Sequence, residues 1–193
     1  MVTFSSSEFR GGLLRLARPA SAIVRGAMTF EDVVREHEEA VYGAVLRILG
    51  DRDAALDAAN QTFMKAYRSI DSYDPTRPIK HWLLRIAVNE AITIGRARTR
   101  ERARSAPDTD AVALPSRTPT PEAEVLDRES RDGIRAAVAQ LPALYREVVV
   151  LRYFNELSVD EVASVLGRSS STVGVQLLRA RQLLRKALGT AGV

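Results

Sequence analysis

The sequence predicts an all-α protein built as two small helical domains joined by a flexible linker. Three observations carry that expectation. Apolar residues recur every three or four positions through successive segments, a proline-rich polar stretch interrupts them at 105–121, and the C-terminal part has the grammar of two helices joined by a tight turn. A chain of 193 residues can form one domain or two small ones, each able to bury a modest core.

Residues 1–28 read as a basic extension, disordered or loosely helical. Arg10, Arg15, Arg18 and Arg25 punctuate Leu13, Leu14, Leu16, Ile23 and Val24, and Pro19 breaks the run, which the apolar core of a signal peptide would not tolerate. Met28 immediately precedes a clean helical pattern and is a second candidate start.

The first strong helix spans Phe30 to Leu49, where Phe30, Val33, Val34, His37, Val41, Ala44, Val45, Ile48 and Leu49 form one face. Gly50 is placed to end it and Asp51 to cap the next. That second helix is expected to reach about Ile70, with Ala55, Ala59, Thr62, Phe63, Ala66, Tyr67 and Ile70 inward and Asp57, Asn60, Gln61 and Lys65 outward. Asp71 to Pro78 is a turn-rich loop stiffened by two prolines. A third helix from Ile79 carries Trp82, Leu83, Ile86, Ala87, Ala91 and Ile94 on its apolar side and runs out into Arg96, Arg98, Arg100, Arg102 and Arg104. Arginines spaced by two wind around all faces, so that tail is either a solvated helix end or a phosphate-binding arm.

Ser105 to Pro121 contains four prolines among small polar residues and is expected to be the linker. Fully extended it reaches about 55 Å, enough to hold two DNA-touching domains well apart on one duplex. Beyond it, Glu122 to Leu141 reads as a helix with Val125, Leu126, Ile134, Val138 and Leu141 inward, and Pro142 as the first residue of another, continued by Leu144, Val148, Leu151 and Phe154.

Ser158 and Glu161 then form a capping box, Val162, Ala163, Val165 and Leu166 an apolar stripe, and Gly167 a helix stop. Ser169 offers a new cap, after which Val173, Leu177, Ala180 and Leu184 recur with helical period. A helix-turn-helix lays its second helix in the major groove with the N-terminal side chains toward base edges. The expected DNA-facing residues are Arg168, Ser169, Ser170, Ser171, Thr172, Gln176 and Arg179, with Gln176 suited to adenine. Arg181, Arg185 and Lys186 extend the basic face. Gly174 costs about 1 kcal/mol of helix stability relative to alanine, which suggests close approach of something there.

Composition narrows the function classes. The net charge is +4 with a pI near 9.7 and clustered arginines, as expected for a nucleic-acid partner. The chain has no cysteine, hence no disulfide, thiolate metal site or cysteine nucleophile; a reducing cytoplasm fits. His37 and His81 have no chelating neighbour, no catalytic signature of the common kinds is present, and no apolar run approaches the ~20 residues needed to span a bilayer. No catalytic residue, metal, cofactor or small-molecule substrate is therefore expected.

With its parts in this order the chain resembles the extracytoplasmic-function (ECF, group 4) sigma factors of the bacterial sigma-70 family. The resemblance covers Phe30 to Leu188 and rests on FEDVVREHEEAVYGAVLRILGDRDAALDAANQTF, on the Trp82 to Asn89 string WLLRIAVN, and on LPALYREVVVLRYFNELSVDEVASVLG followed by TVGVQLLRARQLLRKAL.

It implies that residues 29–104 are sigma region 2, which docks on the beta-prime clamp helices of core RNA polymerase and opens the −10 element, and that 122–193 are region 4, which reads the −35 element. Polymerase binding falls by resemblance on Asp57, Asn60, Gln61 and Phe63, although an amide stands where the family has an acidic residue. The −10 role falls on Tyr73, Lys80, Arg85, Asn89 and Arg96. Melting makes physical sense here, because a base leaving the stack needs a polar pocket and a stacking partner.

Trp82 is expected in the core rather than as a stacking surface. Gly174, Val175 and Gln176 replace the family's basic residues after the Thr-Val pair, so unusual or looser −35 reading is expected. The implied partners are core RNA polymerase, through its clamp helices and beta flap, promoter DNA and an anti-sigma factor. A stand-alone helix-turn-helix regulator and a sigma-like protein with weak initiation activity remain open on the residues alone.

Overall fold

The computed structural model describes residues 29–105 and 132–189; the basic extension, most of the linker and the start of the helix expected from Glu122, with Val125 and Leu126, lie outside them. Among the described residues every regular element is helical, and two helical units, residues 29–105 and 132–189, stand on either side of the linker in sequence.

In the first unit, α1 (Phe30–Leu49) starts from a capping box. Asp32 N donates to Thr29 Oγ1 at 3.3 Å and Thr29 N to Asp32 Oδ2 at 3.0 Å. Gly50 closes the helix in the left-handed region at φ 69°. Asp51 Oδ1 accepts from Ala54 N at 2.8 Å to open α2 (Arg52–Arg68). Alanines 55, 58, 59 and 66 line the inner side of α2, so its backbone approaches α1 closely. Phe63 then fills the larger space with no exposed surface, and Thr62, also buried, satisfies its hydroxyl on Ala58 O at 2.7 Å. Phe30 meets Tyr67 edge-on, with centroids 5.3 Å apart.

The second helix ends at Arg68, and a 3₁₀ turn, Ile70–Ser72, replaces its expected last residues. In α3 (Ile79–Ser105), the buried stripe is Leu83, Leu84, Ala87, Val88 and Ala91. That is rotated from the expected stripe: Trp82, Ile86 and Ile94 are only half-buried, because Leu84 and Val88 take the inward sector.

The second unit contains a helix over 132–140, here α4, then α5 (Ala143–Val149) continuing into a π-helical turn, Val150–Phe154. Pro142 is the cap residue with extended ψ of 142°, one position before the first helical residue, so the chain bends at Leu141 instead of entering the helix directly. Ile134, expected inward, and Leu144, expected in the apolar series of α5, are exposed; Ala137 and Val149 are buried beside the expected Val138, Leu141, Val148 and Leu151. The wide turn ends where Asn155 N returns to Val150 O at 3.2 Å, and Glu156 takes φ 62°. Two further helices, α6 (Val159–Leu166) and α7 (Ser170–Gly189), complete the unit.

Candidate nucleic-acid and polymerase interfaces

The turn between α6 and α7 is built as its residues require. Ser158 N donates to Glu161 Oε2 at 2.7 Å and Glu161 N to Ser158 Oγ at 3.2 Å, completing the box that starts α6. Gly167 stands at φ 63°, and Arg168 N bonds back to Ala163 O at 3.0 Å, the left-handed stop that only glycine adopts without strain. Ser169 Oγ accepts from Thr172 N at 3.2 Å and caps α7. Val173, Leu177 and Ala180 are buried, and α7 packs on α5.

Two of the expected DNA-facing residues point elsewhere. Arg168 Nη2 donates to Glu147 Oε2 at 2.6 Å and its Nη1 to Gln176 Oε1 at 3.2 Å. The Glu147 side chain is 5% exposed and that of Arg168 21%. Gln176 is buried beside Leu177, three residues after Val173, and so lies on the inward stripe of α7. Its amide is therefore turned inward, away from any adenine edge in the groove. Ser169, Ser170, Ser171, Thr172 and Arg179 are exposed as expected. The Ser169 hydroxyl bonds to those of Ser171 and Thr172, and Ser170 Oγ donates to Asp160.

In the first unit the loop before α3 is pre-shaped. Asp74 Oδ1 accepts from Thr76 N at 3.0 Å and Thr76 Oγ1 at 2.7 Å, and these bonds hold its carboxyl below the usual range. Tyr73 donates its hydroxyl to Arg77 O at 2.6 Å and leans on Trp82, centroids 5.4 Å apart and tilted by 44°. Trp82 is thus a half-buried support for Tyr73 and not core.

Arg85, Asn89 and Arg96 are exposed on α3, and Lys80 is half-buried near its start. Asn89 lines a shallow pocket of about 450 Å³ with Lys65, Arg68, Ser69, Ile86 and Glu90, in which Lys65 Nζ and Glu90 Oε1 pair at 2.6 Å. His37 is half-buried, which pushes its pKa down; Lys80 adds to that shift and Glu36 opposes it.

On α2, Asp57 and Gln61 are exposed and Asn60 is half-exposed on the same side. Phe63 is not part of that surface: its burial makes it a core residue that a partner cannot touch.

Comparison with known proteins accounts for both units. Residues 20–102 match the family model of sigma-70 region 2, and residues 131–184 that of sigma-70, region 4. The ECF RNA polymerase sigma factor SigW of Bacillus subtilis (strain 168) is 34% identical over 172 residues, covering 82% of this chain and 88% of its own length. SigM of the same strain is 31% identical over 166 residues, covering 86% and 98%. Among solved structures, CnrH in complex with the cytosolic domain of CnrY is similar at 27% identity and a TM-score of 0.60, over 85% of this chain and 89% of that one. The sigma factor RpoE in complex with the anti-sigma factor NepR from Bartonella quintana, at 23% identity, shares the fold with a TM-score of 0.66 over 83% and 96%.

Proposed function

This chain belongs to the sigma-70 family as an ECF RNA polymerase sigma factor, a transcription initiation factor, and from that premise we propose how its two units divide promoter recognition. The unit of α1 to α3 docks on the beta-prime clamp helices through Asp57, Asn60 and Gln61 and opens the −10 element. Tyr73, Lys80, Arg85, Asn89 and Arg96 receive the separated strand. The unit of α4 to α7 reads the −35 element through the exposed N-terminal turns of α7, with Ser169 to Thr172 and Arg179 at the duplex.

An apolar groove of about 640 Å³ lined by Ile134, Val138, Tyr153, Leu184 and Leu188, with Arg181 at its edge, offers a seat for the beta flap. An anti-sigma factor, such as the NepR bound to RpoE, would act by covering these surfaces. The chain itself supplies no chemistry; the polymerase holds the active site and the magnesium. Its place of action is the cytoplasm, and among the described residues no helix is long and apolar enough to cross a membrane.

The observation that carries this reading is the helix-turn-helix itself, whose second helix is anchored by Val173, Leu177 and Ala180 while the opposite side of its first two turns is open. Run-off transcription on genomic promoter fragments, with core polymerase with and without the chain, tests it. Specific transcripts that require the chain, and that weaken in the doubly substituted Asp57→Ala, Gln61→Ala protein, are expected. Absence of transcripts together with footprinting by the chain alone would transfer the reading to a stand-alone regulator.

A further inference from the structure

The side of α7 turned away from the core carries two large apolar side chains. At 3.6 residues per turn, Ser171, Val175, Leu178 and Gln182 share the side opposite Val173, Leu177 and Ala180. Val175 is 51% exposed and Leu178 56%. Gln176 and Arg168, which could have read base edges, are bonded to each other, and Arg168 also to Glu147. A methyl group added at Gly174 would meet nothing within 4 Å beyond its chain neighbours and its own helical backbone, so the outer side of the helix there is open. Two large apolar side chains open to water on one helix face normally mark a surface that meets a partner.

We infer that Val175 and Leu178 read the −35 element through the C5-methyl groups of thymines, by apolar contact in the major groove. Of the features a base pair presents there, only the thymine methyl is apolar. The occupant is promoter DNA because the face is continuous with the capping serines that open the recognition helix and with Arg179, one residue beyond Leu178 and exposed. Gly174, with no side chain, allows the helix to sit deep enough for Val175 to reach the methyl. This inference rests on the proposed −35 role of α7 and names what that helix detects.

The test uses holoenzyme assembled from core polymerase and the full chain, on a promoter that supports run-off transcription. Selection from duplexes randomised over the upstream element gives the preferred −35 sequence. Each of its thymines is then replaced by deoxyuridine, which deletes the methyl and leaves the pairing edges unchanged. At one or two thymines the replacement should lower promoter-complex formation about fourfold, the effect of losing one buried methyl. Val175→Ala should reduce binding to the thymine duplex by a similar factor and abolish the thymine-over-deoxyuridine preference at one such position, while Val175→Thr, which keeps a methyl, retains much of it.

Circular dichroism should show equal folding for both variants, since the side chain touches solvent. Tolerance of deoxyuridine at every position, with the −35 sequence still required, would overturn the methyl reading and leave the role of α7 standing. Promoter complexes indifferent to the upstream sequence would remove both.

Discussion

Arg168 should be a structural strut of the helix-turn-helix and not a phosphate contact, and the substitution that separates the two roles is Arg168→Met. Methionine preserves much of the apolar stem but removes the guanidinium from Glu147, leaving a carboxylate only 5% exposed without its partner at 2.6 Å. Breaking one side of a buried ion pair costs about 3–5 kcal/mol. Because the arginine side is 21% exposed and water can reach it, the expected loss lies near the lower end, about 3 kcal/mol.

Urea unfolding followed by far-UV circular dichroism measures this. Glu147→Met combined with Arg168→Met should recover most of the loss, since no charge is then left buried. Salt dependence of promoter binding supplies the second readout. A lost phosphate contact lowers the slope of log K against log salt by about 0.9, whereas a lost strut lowers affinity and leaves the slope unchanged. Arg179→Met should show the first pattern and Arg168→Met the second. Stability of Arg168→Met within about 0.5 kcal/mol of the parent, or a reduced slope, would refute the strut.

Three further outcomes are expected. Phe63→Ala should cost about 3–5 kcal/mol, because the ring is fully buried, while Asp57→Ala should leave stability within about 0.5 kcal/mol and weaken binding to core polymerase; thermal unfolding and polymerase pull-down distinguish them. Gly174→Ala should raise helix stability by about 1 kcal/mol, since its methyl meets open space, yet weaken −35 binding if the bare backbone approaches the duplex; equal gains in both would count against close approach. His37 has its pKa lowered, chiefly by burial, so the unfolded state binds the proton more readily; stability is complete above the unfolded-state value of about 6.5 and falls as pH drops through the lower folded-state value. His37→Gln should flatten that decline in urea midpoints measured from pH 7 to pH 5.

The helices were legible because burial imposes a period. In α1 and at the α6–α7 turn, the stripe, the caps and the stopping glycines all agree, and the structure departs from expectation there by little. Trp82 misled because a large apolar residue beside the stripe of α3 resembles a member of it; Leu84 and Val88 hold that sector, and the indole is left to support Tyr73 across the loop. The Thr29 box was readable in principle from Thr29 and Asp32, although aspartate at the third position is a less familiar form than glutamate.

The site residues divide by a different rule. Phe63 and Gln176 each carried a family or chemical association that pointed outward, yet both sit at stripe positions: Phe63 four residues after Ala59 and three before Ala66, Gln176 three after Val173 and four before Ala180. Periodicity alone places them inward, and where the angular sector and the chemical association disagree, the sector prevails. Desolvating a phenyl ring is favourable, and a buried amide is tolerated once it is bonded, as Gln176 is by Arg168.

What periodicity cannot supply is the partner. Glu147 and Arg168 lie 21 residues apart on different elements, so no local pattern announces their pair. An inward glutamate on α5 nevertheless demands a cation, because a carboxylate so enclosed is costly alone. The turn arginine, fixed in place by the left-handed Gly167 immediately before it, meets that demand. Once that arginine is committed inward, the outward face of α7 retains Val175 and Leu178 as its largest apolar contacts, and the chemistry available to the recognition helix is set by a residue on another element.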